Sequence, residues 1–470
     1  MIVKMGLVIA PMKRTTEVRL YPRRSKMALK VEVISKEMIK PSSPTPHHLI
    51  NHKLSFLDQI VPPVYVPMLF FYEPTTKSTH HHEDTTEKSK LLKQSLSETL
   101  TVFYPLAGRI NKNNVSIDCN DAGAEYVEAR VHDAQFWRVI EQPKAEDLKQ
   151  FLPFEPYDFG IMGGREVLLG VQINMFDCGG MAIAVCIAHT IADGSSLVTF
   201  INAWAAKSRG AAAADDHVPS FDLASYFPPK DHLSGFAPAT GITHQNILTR
   251  RFVFDKRALT TLKGVASTAF GSQVKDPTRV EVVSAYIWKH ITEAAKFNRN
   301  IMEPAKMCVI NHAVNLRPRM SPPHPQSSIG NLWRVAVGLL SSEAENGYLD
   351  LISELRTAIK KIDSDYIKML IDGDRYLDFL KSTGEQFSTG ETEFCSFSSW
   401  CRFPVYEADY GWGRPVWVST TTMPFKNVVI LMSTSCGDGI EAWVTLLPED
   451  MAVLERDQEF LSLTIKDVMA

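Results

Sequence analysis

The 470-residue chain is 45% apolar and 22% charged, and its 50 basic and 53 acidic residues leave a formal net charge of −3. That composition excludes a disordered chain, which needs low apolarity or a large net charge, and a general nucleic-acid binder, which shows a basic excess. At roughly 150 residues per domain the length predicts two or three domains, and no apolar run approaches the roughly 18 residues that read as a membrane span.

Met1 to Lys26 holds seven Lys or Arg and, as acid, only Glu17. It reads as a disordered basic extension or an upstream start before Met27, in preference to a transit peptide, which would be richer in serine. Leu29 to Ser35 alternates as a strand does, and Pro41 to Pro46 is a loop because three prolines fix φ and remove donors. Val61 to Tyr72, with Pro62, Pro63 and Pro67, reads as buried extended chain. Leu91, Leu92, Leu96 and Leu100 are spaced for the inner face of a helix over Thr85 to Phe103. Glu166 to Phe176 and Met181 to Ala188 are strands around an Asp177–Gly180 turn, which predicts a hairpin. Gly194 to Ala206 then reads as a helix.

Lys207 to Gln245 is rich in Ala, Asp, Pro, Ser and Gly, lacks periodicity and is the linker candidate. Beyond it come a strand at Arg250–Phe254, a helix at Val280–Ala294, a strand at Met307–Leu316 and one helical stretch at Leu349–Ile371. The last strands fall near Val416, at Val428–Met432 and at Gly439–Leu447. Mixed strands and helices give an α/β or α+β class. The layout is an extension over 1–26, a domain over 27–206, a linker over 207–245 and a second domain over 246–470.

The seven cysteines are scattered, with no C-x-x-C pair, and suit free thiols in a reducing compartment. Cys178 in the turn and Cys186 in the apolar strand are expected to pack rather than react. His189 ends a strand just before a turn that opens a helix, and Asp193 follows four residues on. An imidazole there can act as a general base in a cleft, with Asp193 ordering the local backbone. The spacing alone is weak, since fourteen histidines yield about one His-x-x-x-Asp by chance. His80 to Asp84 is a second match, in a hydrophilic run that reads as a solvated loop. Asp409-Tyr410-Gly411-Trp412-Gly413 reads as a tight turn where backbones approach closely. Arg317 sits among apolar residues, and a buried guanidinium needs a carboxylate such as Asp193 or Asp409. There is no Gly-x-Ser-x-Gly elbow, Walker loop or His-Glu-x-x-His.

Together these residues resemble the plant BAHD acyltransferase family. Its His-x-x-x-Asp-Gly motif matches His189 to Gly194, and its Asp-Phe-Gly-Trp-Gly motif matches Asp409 to Gly413, with Tyr410 in place of phenylalanine. Tyr104 to Arg109, Leu57 to Gln59 and Asn315 to Arg317 are also family-like, and the likeness runs from about Leu29 to near the C-terminus. Pro41 to Pro46, Phe176 to Gly180, Ala203 to Ala205 and Ser399 to Arg402 are closest to the alkaloid and terpenoid acetyltransferases of the family.

The resemblance implies two chloramphenicol-acetyltransferase-like domains with mixed sheets, joined by a long crossover, with an active-site channel at their interface. It implies an acyl-CoA-dependent O-acyltransferase that uses acetyl-CoA to esterify a small lipophilic alcohol of plant specialised metabolism, an alkaloid or a triterpenoid. His189 would be the general base. Asp193 would hold the histidine loop through Arg317, and Gly194 and Asp409 to Gly413 would be structural. No metal, bound cofactor, nucleic acid or membrane is implied, and the expectation is a cytoplasmic monomer. Polyamine N-acylation, a homologue that has lost catalysis, and an esterase remain as alternatives, the last without a serine elbow.

Overall fold

The computed structural model describes residues 29–74, 81–111, 115–157, 166–211, 218–233, 241–243, 245–268, 275–298, 307–341, 347–387 and 392–466. The 1–26 extension and His80 lie outside the described residues. The strands of the first half are β1 (Lys30–Ile39), β2 (Asn51–Lys53), β3 (Tyr65–Tyr72), β4 (Arg109–Ile110), β5 (Ser116–Asp118), β6 (Ala124–His132), β7 (Leu169–Phe176) and β8 (Met181–Ala188). Those of the second half are β9 (Leu248–Phe254), β10 (Met307–Asn315), β11 (Trp333–Ser341), β12 (Thr392–Ser399), β13 (Trp417–Ser419), β14 (Val428–Ser433), β15 (Ile440–Leu446) and β16 (Ile465–Lys466).

They form two large mixed sheets. The first runs β1-β6-β7-β8-β3-β13 and the second β11-β10-β12-β14-β15-β9-β16, while β2, β5 and β4 make a small third sheet. The Asp177–Gly180 turn closes an antiparallel β7–β8 hairpin, with Gly179 at φ +88° where a side chain would be strained. All eight residues of β8 are buried, as the unbroken apolar run Met181–Ala188 requires of a strand covered on both faces. The α/β architecture of two mixed-sheet units agrees with the class expected from the sequence.

The two halves are interlocked. β13 lies in the second half of the chain yet pairs antiparallel with β3, Trp417 opposite Phe71. Trp417 Nε1 donates to Glu441 Oε2 on β15 at 3.1 Å, and Arg251 on β9 grips the same carboxylate with two nitrogens at 2.8 and 3.2 Å. A pair of hydrogen bonds to one carboxylate fixes direction as well as distance. One strand in the first sheet is thus tied to two in the second.

Two expectations need correction: the single helical stretch over Leu349–Ile371 and the packing of Cys178. The helical stretch at Leu349–Ile371 is two helices, Tyr348–Lys360 and Ser364–Asp372, because Asp363 caps the second by accepting from the amides of Asp365 and Tyr366. Some of the linker candidate is packed where it is described. It carries a short helix at Leu223–Tyr226, and Leu223, Phe227 and Leu233 are buried with Phe56, Leu57 and Leu332 in a core of their own. Cys178, expected to pack, is exposed, whereas Cys186 is fully buried.

Candidate active site

His189 follows the last residue of β8, and Asp193 is the N-cap of the helix Gly194–Ser208. That helix forms because Leu197, Phe200, Ile201 and Trp204 recur at i, i+3, i+4 and i+7, and all four are fully buried. Gly194 opens it with little room to spare, since a β-carbon there would meet the Phe403 ring at 2.8 Å. His189 is held between two anchors: its amide donates to Val64 O at 2.7 Å, and its carbonyl accepts from Asn331 Nδ2 at 2.6 Å.

The ring geometry fixes a tautomer. Nδ1 lies 3.1 Å from Ala192 O, and a carbonyl can only accept, so Nδ1 carries the proton and Nε2 keeps a lone pair. The Trp333 indole stacks near the ring, 5.7 Å between centroids at 23°. Burial pulls the His189 pKa below its ordinary 6.5, outweighing the Asp193 carboxylate, which favours the charged form. The imidazole is therefore neutral at pH 7.

Asp193 does not contact the ring that it follows in sequence. Its Oδ1 accepts from the Ser196 amide at 2.8 Å and hydroxyl at 2.9 Å, and from Arg317 Nη2 at 3.1 Å. Its Oδ2 accepts from Arg317 Nη1 at 2.8 Å and the Leu332 amide at 3.1 Å. Arg317 is fully buried and also donates to Ser328 O from Nε and Nη2, at 3.2 and 2.7 Å. The carboxylate named second as a partner for Arg317, Asp409, is elsewhere. The site therefore has a histidine oriented by a backbone carbonyl and a separate buried ion pair, not a histidine–carboxylate dyad.

His189 borders a cavity of about 1390 Å³ whose walls come from both halves of the chain. Val64, Val66, Pro67, Met423, Phe425 and Ile430 make an apolar wall; Asn311, His312, Ser396, Ser398 and Ser399 supply polar groups. Asp193, Gly194, Arg317 and Trp333 also border it. Among described residues that could group as metal ligands, only His290, Glu293 and Asp457 come together, and none of these borders the cavity.

Asp409 to Gly413 lies off the cavity wall. Asp409 Oδ1 accepts from the amides of Gly411 and Gly413 at 2.8 and 2.9 Å, and both glycines sit at positive φ, +114° and +111°. The turn pins the far end of the histidine helix: Ser208 Oγ donates to Tyr410 O at 2.9 Å and the Arg209 guanidinium to Asp409 O. Tyr410 is buried edge-on against Trp204 at 5.0 Å, and its hydroxyl has no hydrogen-bond partner among the described residues. An unpaired buried hydroxyl costs about 1–3 kcal/mol. Tyr410→Phe is expected to leave activity unchanged and stability equal or higher by about that amount, read from denaturant midpoints. A clear loss of stability would show that the hydroxyl is paired.

Sequence reasoning singled out His189, Asp193 and Arg317, and the fold brings these together. It missed Ser196, Asn331 and Trp333, and it marked Asp58 only as part of a family-like triplet. Asn331 is 142 residues from His189 in the chain, so no local spacing could reveal the contact.

A model described as the Transferase family matches residues 29–461. Stemmadenine O-acetyltransferase of Catharanthus roseus is 43% identical over 94% of this chain and 99% of its own. A limonoid 7-O-acetyltransferase of Citrus sinensis is 37% identical over 93% of this chain and 98% of its own. The crystal structure of vinorine synthase superposes with a TM-score of 0.78 at 40% identity, covering 92% of this chain and 98% of that one.

Proposed function

Since the chain belongs to the Transferase family, the BAHD acyltransferases, we propose that it is an acyl-CoA-dependent O-acetyltransferase of lipophilic specialised-metabolite alcohols, with His189 as the general base. The relatives named for O-acetylation of alkaloids and limonoids support the reaction class. The single observation that carries the residue assignment is a neutral histidine, its tautomer set by Ala192 O, on the wall of a cavity large enough for two substrates.

An alcohol is a poor nucleophile until its proton is taken. His189 Nε2 accepts that proton as the hydroxyl oxygen attacks the thioester carbonyl. The negative charge that collects on the carbonyl oxygen needs aimed donors, and Ser398 and Ser399 are among the residues that border the same cavity. Collapse breaks the carbon–sulfur bond, and the imidazolium returns its proton to the departing CoA thiolate. Both substrates are present at once, so no acyl-enzyme forms. Asp193 and Arg317 hold the loop and touch neither substrate. The domain boundaries proposed are 27–206 and 246–470, with 207–245 crossing between them. No helix among the described residues is long and apolar enough to cross a membrane. A monomer in the cytosol is the proposed setting, where neutral pH keeps His189 unprotonated.

The test is incubation with labelled acetyl-CoA and a panel of polycyclic terpenoid and alkaloid alcohols, with spermidine as the amine control. Label is expected in an alkali-labile ester. Label confined to a spermidine amide would overturn the O-acyl reading. The pH profile checks the base: kcat/KM should rise with pH and level off, with its inflection below the 6.5 of an ordinary histidine, because burial penalises the inactive charged form. An inflection above 6.5 would contradict the site as described.

A further inference from the structure

We infer that Asn331, gripped by the buried carboxyl of Asp58, is a positioning residue for His189. It holds the main-chain carbonyl of that residue and, through Trp333, the aromatic face beside its ring. The inference rests on the general-base reading of His189 and adds a second support to it, independent of Asp193 and Arg317.

Asn331 is fully buried and Asp58 is 4% exposed. Asp58 Oδ1 accepts from the Asn331 amide at 2.9 Å and from its Nδ2 at 2.8 Å. The other oxygen, Oδ2, accepts from the Ser55 amide at 2.9 Å. The second Nδ2 hydrogen goes to His189 O at 2.6 Å, and Asn331 Oδ1 accepts from Trp333 Nε1 at 3.2 Å. A carboxamide is the group that supplies two donors and an acceptor in one plane. Aspartate would set a second carboxylate against Asp58, and alanine would leave Trp333 Nε1 and His189 O without this partner.

The chain at this point is located from two sides. Asp58 takes the Asn331 amide and Asp193 takes the next one, Leu332, at 3.1 Å. Gly330 enters at φ +130°, where a β-carbon would meet Leu223 at 2.4 Å, so glycine lets the segment sit this close. Two buried carboxyls on separate elements fix two consecutive amides, and from that fixed point one side chain reaches the histidine. The Leu57-Asp58-Gln59 triplet, which the reaction itself does not use, thereby acquires a role. Misplacing a catalytic group by about 1 Å costs on the order of 100-fold in rate.

The test compares wild type, Asn331→Ala and Trp333→Phe with acetyl-CoA and whichever alcohol of the panel turns over fastest. In parallel, ¹⁵N-histidine NMR reads the His189 tautomer, with its signal identified by its loss in His189→Ala. Asn331→Ala is expected to lower kcat by roughly 10- to 100-fold, to leave the KM for acetyl-CoA within about 3-fold, and to replace the single Nδ1–H tautomer with a mixture. A folded Asn331→Ala with undiminished kcat overturns the inference. So does a variant that loses kcat while the tautomer stays single, since Asn331 would then be merely structural. Should Asn331→Ala fail to fold, Trp333→Phe decides: it keeps an aromatic ring beside His189 and removes the donor to Asn331 Oδ1. A lower kcat at constant KM supports the inference, and an unchanged kcat overturns it. If wild type transfers acetyl to no acceptor, the acyltransferase reading fails, and the tautomer comparison still decides the role of Asn331.

Discussion

His189→Ala is expected to lower kcat/KM by roughly 100- to 10,000-fold, the range over which a positioned base contributes to proton transfer. The fold should survive. The ring is partly buried and its Nδ1 donates to Ala192 O, while the amide and carbonyl anchors to Val64 and Asn331 are main-chain bonds that alanine keeps. A single lost hydrogen bond costs about 1 kcal/mol. Activity and stability thus separate: an inactive protein with a near-normal unfolding midpoint. Retention of most of the turnover would remove His189 from the mechanism.

Asp193→Asn is expected to do the reverse, harming the fold and, with it, the activity. Arg317 is fully buried, and Asp193 is the carboxylate that it contacts, through two nitrogens. Losing one partner of a buried pair leaves an uncompensated charge, at a cost of roughly 3–5 kcal/mol. The same change turns one carboxylate oxygen into an amide nitrogen that cannot accept. Either the Ser196 cap or the Leu332 amide then faces a donor. Urea titration should show the loss directly. Activity should fall at least 10-fold, and Arg317→Lys should also lose activity because a point charge cannot replace the planar fork. A stable, fully active Asp193→Asn would contradict the structural role.

Much of the first sheet could be read from the chain because its strands obey simple rules. β7 and β8 are apolar runs around a Gly-Gly turn, and β8 is buried on both faces. β6 escaped because Glu125, Glu128 and Arg130 interrupt its apolar residues; only their partly exposed positions in the folded strand explain them. β12 escaped for a similar reason: Ser396, Ser398 and Ser399 look like a loop, but they belong to a strand that borders the cavity. A carboxylate partner for Arg317, Asp193 or Asp409, could be anticipated because a charge among apolar residues demands one. The Asp58–Asn331–His189 link could not, since its donors and acceptors are small polar groups far apart in sequence. The place of β13 was hidden too, because chain order puts it with the second sheet while hydrogen bonding puts it with the first.

The central claim is that one cavity passes an acetyl group from CoA straight to a hydroxyl, with His189 moving the proton. The intact mass of the enzyme, after incubation with acetyl-CoA alone and again after the alcohol is added, tests this most directly. The account predicts an unchanged protein mass at both points, with the ester and free CoA appearing together only once the alcohol is present. A protein heavier by one acetyl group before the alcohol arrives, discharged when it is added, would show a covalent intermediate and contradict direct transfer.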